Sequence, residues 1–420
     1  MQQGVDPRPR QNPWAFIPAL YFMQGVPVIL MTYLLPVLYF DFGLPNRDIT
    51  LWTSLVTIPW GVKLFWAPLV DLHGTKRRWF QVLQILLIFA LVAAAASLSG
   101  PYALVISLVV WGVLAILSAT HDIALDGYYL LALKKEEQAF FTGIRSAAFR
   151  GAWFFVTFGL AAFAGYLRDV EVTSKIGSWQ YAILLGAGVC GIVMLYGFLV
   201  TPSVPSDGPA AHHSWDNLLQ TFGSFFAQPR VMPVIAVMLF YRLPEAMLTK
   251  LSGVFLQDTL ANGGLGYTLS DYARIQGVVG IIALLLGGIL GGIVISQYGI
   301  RRTMWPIAIL MSVPNLPYVW AAYTHPDTSF IYVITALEQF GYGIGMSWLL
   351  IYVMARCREP YKASHYAIGT SFMYGGLLLA GIPSGAIQEW LGYTGFFTAV
   401  CLVSVPCLLL LFFIPLDDVP

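Results

Sequence analysis

The chain is 420 residues long, 58% hydrophobic and 10% charged. Soluble proteins carry about 25% charged residues, so a soluble enzyme or regulator is excluded and a polytopic membrane protein is implied. Lys plus Arg number 22 against 21 Asp plus Glu, a balance that gives no reason to expect a nucleic-acid partner.

A crossing needs about 20 mostly apolar residues. The lead MQQGVDPRPRQNP, residues 1–13, is expected to be a short cytoplasmic tail. Twelve apolar runs follow, over 14–40, 50–70, 79–98, 102–132, 138–167, 180–200, 230–257, 271–297, 303–323, 329–355, 363–390 and 392–415. The first run is too long for a signal-peptide core, so no cleavable leader is expected. The predicted fold class is all-α, with an N-terminal six-helix lobe over 14–200 and a C-terminal one over 230–415. The Pro/Ser-rich segment 201–229 between them reads as a cytoplasmic linker with an amphipathic piece around Trp215 to Phe226, and 416–420 as a second tail.

Positive charge sets orientation, because loops rich in Lys and Arg stay inside. With the N-terminus inside, the inner segments hold Arg8, Arg10, Lys76, Arg77, Arg78, Lys134, Lys135, Arg230, Arg301, Arg302, Arg356, Arg358 and Lys362. The outer segments hold only Arg47, Arg168 and Lys175, so both termini are expected in the cytoplasm. The remaining cations, Lys63, Arg145, Arg150, Arg242, Lys250 and Arg274, fall within or at the edge of crossings.

The two halves resemble each other. YFMQGVPVILMTYLLPVLYF from Tyr21 matches FYRLPEAMLTKLSGVFLQ from Phe240, with Pro27 against Pro244 and Thr32 against Thr249. HGTKRRW from His73 likewise matches QYGIRRTMW from Gln297. A duplicated six-helix unit is a transporter architecture.

Ionisable residues inside a membrane are costly, so they face the bundle interior and find partners. Asp122 and Asp126 are four residues apart and share one face of the fourth run. At about 1.5 Å per residue, Asp126 lies roughly 12 Å and Asp122 roughly 18 Å above the turn at 134–138, against roughly 10 Å for Arg145 and 18 Å for Arg150 on the fifth run. These depths predict a charge ladder or gate, Asp126 with Arg145 and Asp122 with Arg150, serving either as fixed glue or as a gate or proton site. Lys63 is a third cation at that level. In the second half, Arg242 and Glu245 are three apart on one face with Pro244 between them, while Glu338, beside Gln339, has no cation in its own helix. Glu245 and Glu338 are therefore the leading proton-coupling candidates, with Asp122 and Asp126 behind them. Lys63 and Arg242 could hold an anionic group of the substrate. Tyr128, Tyr241, Gln339 and Trp348 are candidate cavity-lining residues on the fourth, seventh and tenth runs, and suit a sugar or an amphiphilic solute.

No cofactor is expected beyond a coupling proton. The cysteines Cys190, Cys357, Cys401 and Cys407 show no paired spacing and lie in or beside apolar runs, so neither disulfides nor a metal site is expected. No HExxH is present, and no ring of like charge suggests a channel. A membrane-embedded enzyme is the rival class. His121 beside Asp122 makes no catalytic pair, since helix neighbours point about 100° apart.

The stretches KLFWAPLVD (63–71), ATHDIALDGYY (119–129), YRLPEA (241–246), the GGIL-GG run (287–292), E-x-x-G-x-G-x-G (338–345) and KASHYAIGTSF (362–372) occur in this order. Through them the chain resembles the peptide, acetyl-CoA and drug uptake branch of the major facilitator superfamily, its muropeptide permeases in particular. YRLPEA is similar to siderophore importers of the same branch as well. The resemblance implies a monomeric multi-pass protein of a bacterial cytoplasmic (inner) membrane, importing a small molecule with protons by alternating access. A muropeptide-like sugar is the expected solute, and a siderophore or other small organic anion the alternative. Asp71, Arg77 and Arg78 fall where the family carries a gating loop, although DLHGTKRR places Leu72 where a basic residue is common.

Overall fold

The computed structural model describes residues 12–204, 207, 215–358 and 362–416, and every regular element among them is helical. Eight helices there are long and apolar enough to cross a membrane by length and composition. The first, α1, is Pro13–Asp41. Asn12 caps it, accepting from the Trp14 N–H, and proline opens it, residue types that favour a helix start. Pro36 lacks the N–H that the Thr32 carbonyl would receive; here the helix widens into a π-type turn at Leu30–Leu34.

The second helical stretch, α2, comes in pieces, Asn46–Leu55, Ile58–Val62 and Ala67–Leu72. Pro59 and Pro68 each sit in the first turn of a new piece, where the missing N–H is tolerated. Then follow α3 (Lys76–Ser97), α4 (Ala103–Ala132), α5 (135–169, with a π-type turn at Phe155–Leu160) and α6 (Lys175–Val200). The amphipathic linker piece is a helix, α7 (Trp215–Phe226). The second half holds α8 (Val231–Gln257) and the long stretch Leu269–Thr324, which Gly299 divides into α9 and α10. After α11 (Thr328–Ala355), Gly392 divides Lys362–Leu409 into α12 and α13. The look-alike loops of the two halves turn alike: Gly74 has φ 70° and Gly299 has φ 78°, a conformation that glycine adopts without steric cost.

Helices in lipid gain little from hydrophobicity against one another, so close backbone packing at small residues holds them. A Cβ at Gly343 of α11 would lie 2.8 Å from the Gly288 nitrogen of α9, and one at Gly291 2.8 Å from Ile344 Cγ1. Gly287, Gly291 and Gly343 thus hold α9 tightly against α11, while Gly341 and Gly345 of α11 pack on Leu310 and Met311 of α10. The halves also meet: a Cβ at Gly277 of α9 would lie 2.7 Å from Phe158 Cα of α5.

The end of the bundle where α1 starts is here the near end, the opposite one the far end. At the far end, Asp41 accepts from Arg168 Nη2 at 2.6 Å and from Trp179 Nε1 at 2.7 Å, joining α1, α5 and α6. Asn46 Nδ2 crosses between halves to Gln388 Oε1 at 2.8 Å and Tyr393 Oη at 3.1 Å, and Tyr393 donates to Asp258 at 2.9 Å. The Arg47 N–H donates to Glu389 at 2.9 Å, the Gly385 N–H to Thr50 Oγ1 at 2.9 Å, and Ser270 Oγ to Asp169 at 2.8 Å. The far end is therefore closed by direct contact of the two halves.

Candidate functional site

Most of the charged residues within the apolar segments fall into two groups, one in each half. In the first, Asp126 of α4 accepts from Tyr21 Oη of α1 at 2.7 Å and pairs with Arg145 of α5 at 3.4 Å. The Arg145 guanidinium also lies over the Tyr21 and Tyr129 rings, at 4.8 and 5.3 Å, a cation–π cradle. One turn up α4, Asp122 pairs with Lys63. The ladder expected from the depths is thus half as predicted. Asp126 does meet Arg145, but Asp122 takes Lys63 rather than Arg150. Arg150 instead faces the second half, where a Cβ at Gly288 would lie 3.6 Å from its Nη2. Depth along two helices says nothing about rotation about their axes, and rotation decided this pairing.

In the second half, Arg242 and Glu245 approach to 3.9 Å, as the i,i+3 spacing predicts. Arg242 Nη2 donates to Tyr342 Oη of α11 at 2.6 Å, and its guanidinium lies 5.0 Å from that ring. Glu245 is 2% exposed, and its Oε2 has no hydrogen-bond partner. Glu338 is also 2% exposed; Gln339 Nε2 donates to its two oxygens at 2.9 and 3.3 Å. Neither carboxylate has the full set of donors that a buried anion normally collects.

The two groups differ in access. The Asp126 and Arg145 side chains keep 42% and 30% exposure, whereas Glu245 and Glu338 are sealed. The opening therefore lies toward the near end.

Other predicted site residues sit elsewhere. Tyr128 is fully buried against Phe80 and Phe16, and its hydroxyl donates to the Pro202 carbonyl at 2.7 Å, pinning the linker. Trp348 stacks on Tyr352 and donates to the Ile300 carbonyl at 3.0 Å, and Tyr241 packs on the same indole. These three lie in the packed interior of their lobes rather than on a cavity, because large rings fill helix–helix contacts as readily as they line clefts. Gln339 does line a cavity. Arg78 donates its N–H to the capping Thr75, and the Lys76 and Arg77 N–H groups donate to Asp207 of the linker at 2.6 and 2.9 Å. A linker carboxylate thus occupies the α3 N-terminus, where helix dipole and free N–H groups favour an anion. The Asp71 side chain lies outside the described residues.

Sequence reasoning missed Asp207, the Asp41–Arg168 pair, and the Asn46–Gln388–Tyr393–Asp258 chain. Only one signal pointed that way, polar residues at the ends of apolar runs, and it names no partner. Among the described residues, no group of three or more His, Cys, Asp or Glu could hold a metal.

The sequence model of the Major Facilitator Superfamily matches residues 17–381. The chain belongs to this superfamily. It is a membrane transporter and not an enzyme. The protein named AmpG 4 in Rickettsia felis is 24% identical over 414 residues, covering 94% of both chains. The anhydromuropeptide permease of Escherichia coli K12 is 24% identical over 363 residues, covering 85% of this chain and 71% of that one. Among solved structures, a POT family transporter in complex with 5-aminolevulinic acid superimposes with a TM-score of 0.73 at 12% identity, covering 98% of this chain and 97% of that one. The nucleoside transporter NupG gives 0.69 at 17% identity, covering 95% and 99%. At such identities the structural likeness speaks for the fold alone.

Proposed function

We propose that the protein is a proton-coupled importer of an amphiphilic, muropeptide-like sugar, working by alternating access in a bacterial inner membrane. The observation that carries this reading is the asymmetry of the cleft. The far end is closed by Asn46–Gln388 and Gly385–Thr50 contacts between halves, while Asp126 and Arg145 stay half open toward the near end. This is what an inward-facing carrier looks like if the near end is cytoplasmic, as the Lys and Arg distribution favours. The positive-φ breaks at Gly299 and Gly392, with the pieces of α2 read as one crossing, support twelve crossings in two six-helix lobes.

Glu338 and Glu245 are the proton-carrying groups in this reading. An isolated carboxylate in a lipid-buried helix is costly, so a change in its charge is tied to a change in its surroundings. The Asp126–Arg145 pair is the inner gate, reachable by water in this state and closed over in the other. The muropeptide class rests on kinship with the permease of Escherichia coli. The test is uptake into liposomes under an inward proton gradient, with an anhydromuropeptide, an N-acetylglucosamine oligomer and a ferric siderophore as probes, each with and without uncoupler. Uncoupler-sensitive uptake of the anhydromuropeptide is expected. Uptake of the siderophore alone would replace the solute class and keep the mechanism.

A further inference from the structure

Lys250 lies in mid-α8 and is 9% exposed. Its one described hydrogen bond runs to Thr53 Oγ1 of α2, across the halves, at a long 3.4 Å. No carboxylate among the described residues pairs with it, whereas Lys63, Arg145, Arg242 and Arg274 each have one. An ammonium carries three N–H donors, and a membrane helix keeps one only where something compensates it.

A small cavity of about 20 Å³ adjoins it, lined among others by Lys250, Tyr33, Ser252, Tyr272, Gln276 and Gln339. That is room for one water-sized occupant. The Gln276 amide nitrogen is buried near the Tyr318 hydroxyl and makes no well-formed hydrogen bond. The lining therefore carries an ammonium, a poorly satisfied amide donor and several hydroxyls, with no carboxylate to answer them. On the other side α12 closes tightly: a Cβ at Gly381 would lie 2.9 Å from Lys250 Cε.

We propose that Lys250 and Gln276 form an anion subsite in the cleft between the halves, which takes a carboxylate of the transported solute. In the far-closed state it is collapsed, with Thr53 standing in as a weak acceptor. Separation of α2 from α8 removes Thr53, widens the cavity and presents the ammonium to solute arriving from the far end. A free halide offers the same chemistry as a carboxylate oxygen, and the test separates the two.

The subsite rests on the transport reading above, so the experiment keeps the two apart. Wild type, K250Q and K250R are reconstituted in liposomes and given an N-acetylglucosaminyl-anhydromuramyl disaccharide with its free lactyl carboxylate, or its carboxamide. Wild type should favour the carboxylate by about tenfold in KM, the size of one charge-assisted hydrogen bond. K250R should keep that preference, and K250Q should lose it while still moving the carboxamide. Equal preference in wild type and K250Q overturns the subsite. If K250Q does not give a monodisperse protein, Q276L replaces it, with a smaller loss expected and an unchanged preference overturning the proposal.

If wild type moves neither compound, the transport reading falls alone. The subsite is then judged by thermal shift in detergent, titrating sodium acetate or chloride at constant ionic strength. Stabilisation lost in K250Q supports it: by acetate only, a carboxylate site; by both, a general anion site. The same shift in both proteins, or in neither, overturns it.

Discussion

Lys63 and Asp122 form an ion pair inside the first half, joining α2 to α4, with little of either side chain reaching solvent. That pairing takes Lys63 out of the pool of free cations and leaves Arg150 facing the second half. Removing one partner strands the other charge in the membrane, a loss of about 3–5 kcal/mol for a buried pair. D122N and K63Q should each lower the melting temperature of the detergent-solubilised protein, and K63Q/D122N should recover most of the loss. Additive losses in the double variant would show that the two charges do not depend on each other.

The Asp126–Arg145 pair is different, because solvent reaches both side chains in this state. Exposed pairs add about 0–1 kcal/mol. D126N should therefore shift the melting temperature by at most a few degrees and yet abolish uptake, if the pair has to break and re-form during the cycle. The charge swap D126R/R145D should restore part of the uptake that either reversal alone removes. A swap no better than the single variants would end the gate assignment.

Glu338 accepts only from its neighbour Gln339 among the described hydrogen bonds. If it carries the coupling proton, E338Q should keep solute exchange across the membrane at equal concentrations. Concentrative uptake driven by a pH gradient should fall at least about tenfold, to within reach of the gradient-free rate. E245Q is the companion variant, and the one that uncouples transport identifies the carrier. Loss of exchange together with uptake would point to a structural role.

At the far end the Arg47 backbone meets the Glu389 side chain, and Gly385 lies directly under the Asn46 carbonyl. A pair of cysteines, R47C/E389C in a background lacking the native ones, should cross-link readily and trap the far-closed state. Adding G385L should force the halves apart and slow cross-linking, since there is no room there for even a Cβ. Unchanged cross-linking with the leucine in place would mean that this contact does not set the closure.

Much of the fold could be read directly. Apolar runs mark the helices to within about five residues, since the hydrocarbon core sets both their length and their composition. The Arg242–Glu245 pair was equally legible, because the i,i+3 rule operates within one helix. So was Asp126 with Arg145, where a short turn joins two successive crossings and fixes the depth of each residue, with Tyr21 of α1 bridging the pair. Trp348 and Tyr128 were misplaced for the opposite reason. An aromatic ring on a crossing suits a cleft and a packed interface alike, and composition does not say which side of the helix faces which neighbour.

Composition and spacing alone established the membrane class and the helical segments, and singled out the ionisable residues that the bundle has to accommodate. These follow from the cost of exposing charge and backbone to lipid, which is paid residue by residue. Three-dimensional packing was needed to show that Lys63 rather than Arg150 meets Asp122, that Asp207 of the linker caps α3, and that the far end is the closed one. Each depends on helix rotation and on how two halves lean together. Those degrees of freedom are set by backbone contacts at Gly277, Gly343 and Gly385, and one-dimensional spacing carries no record of them.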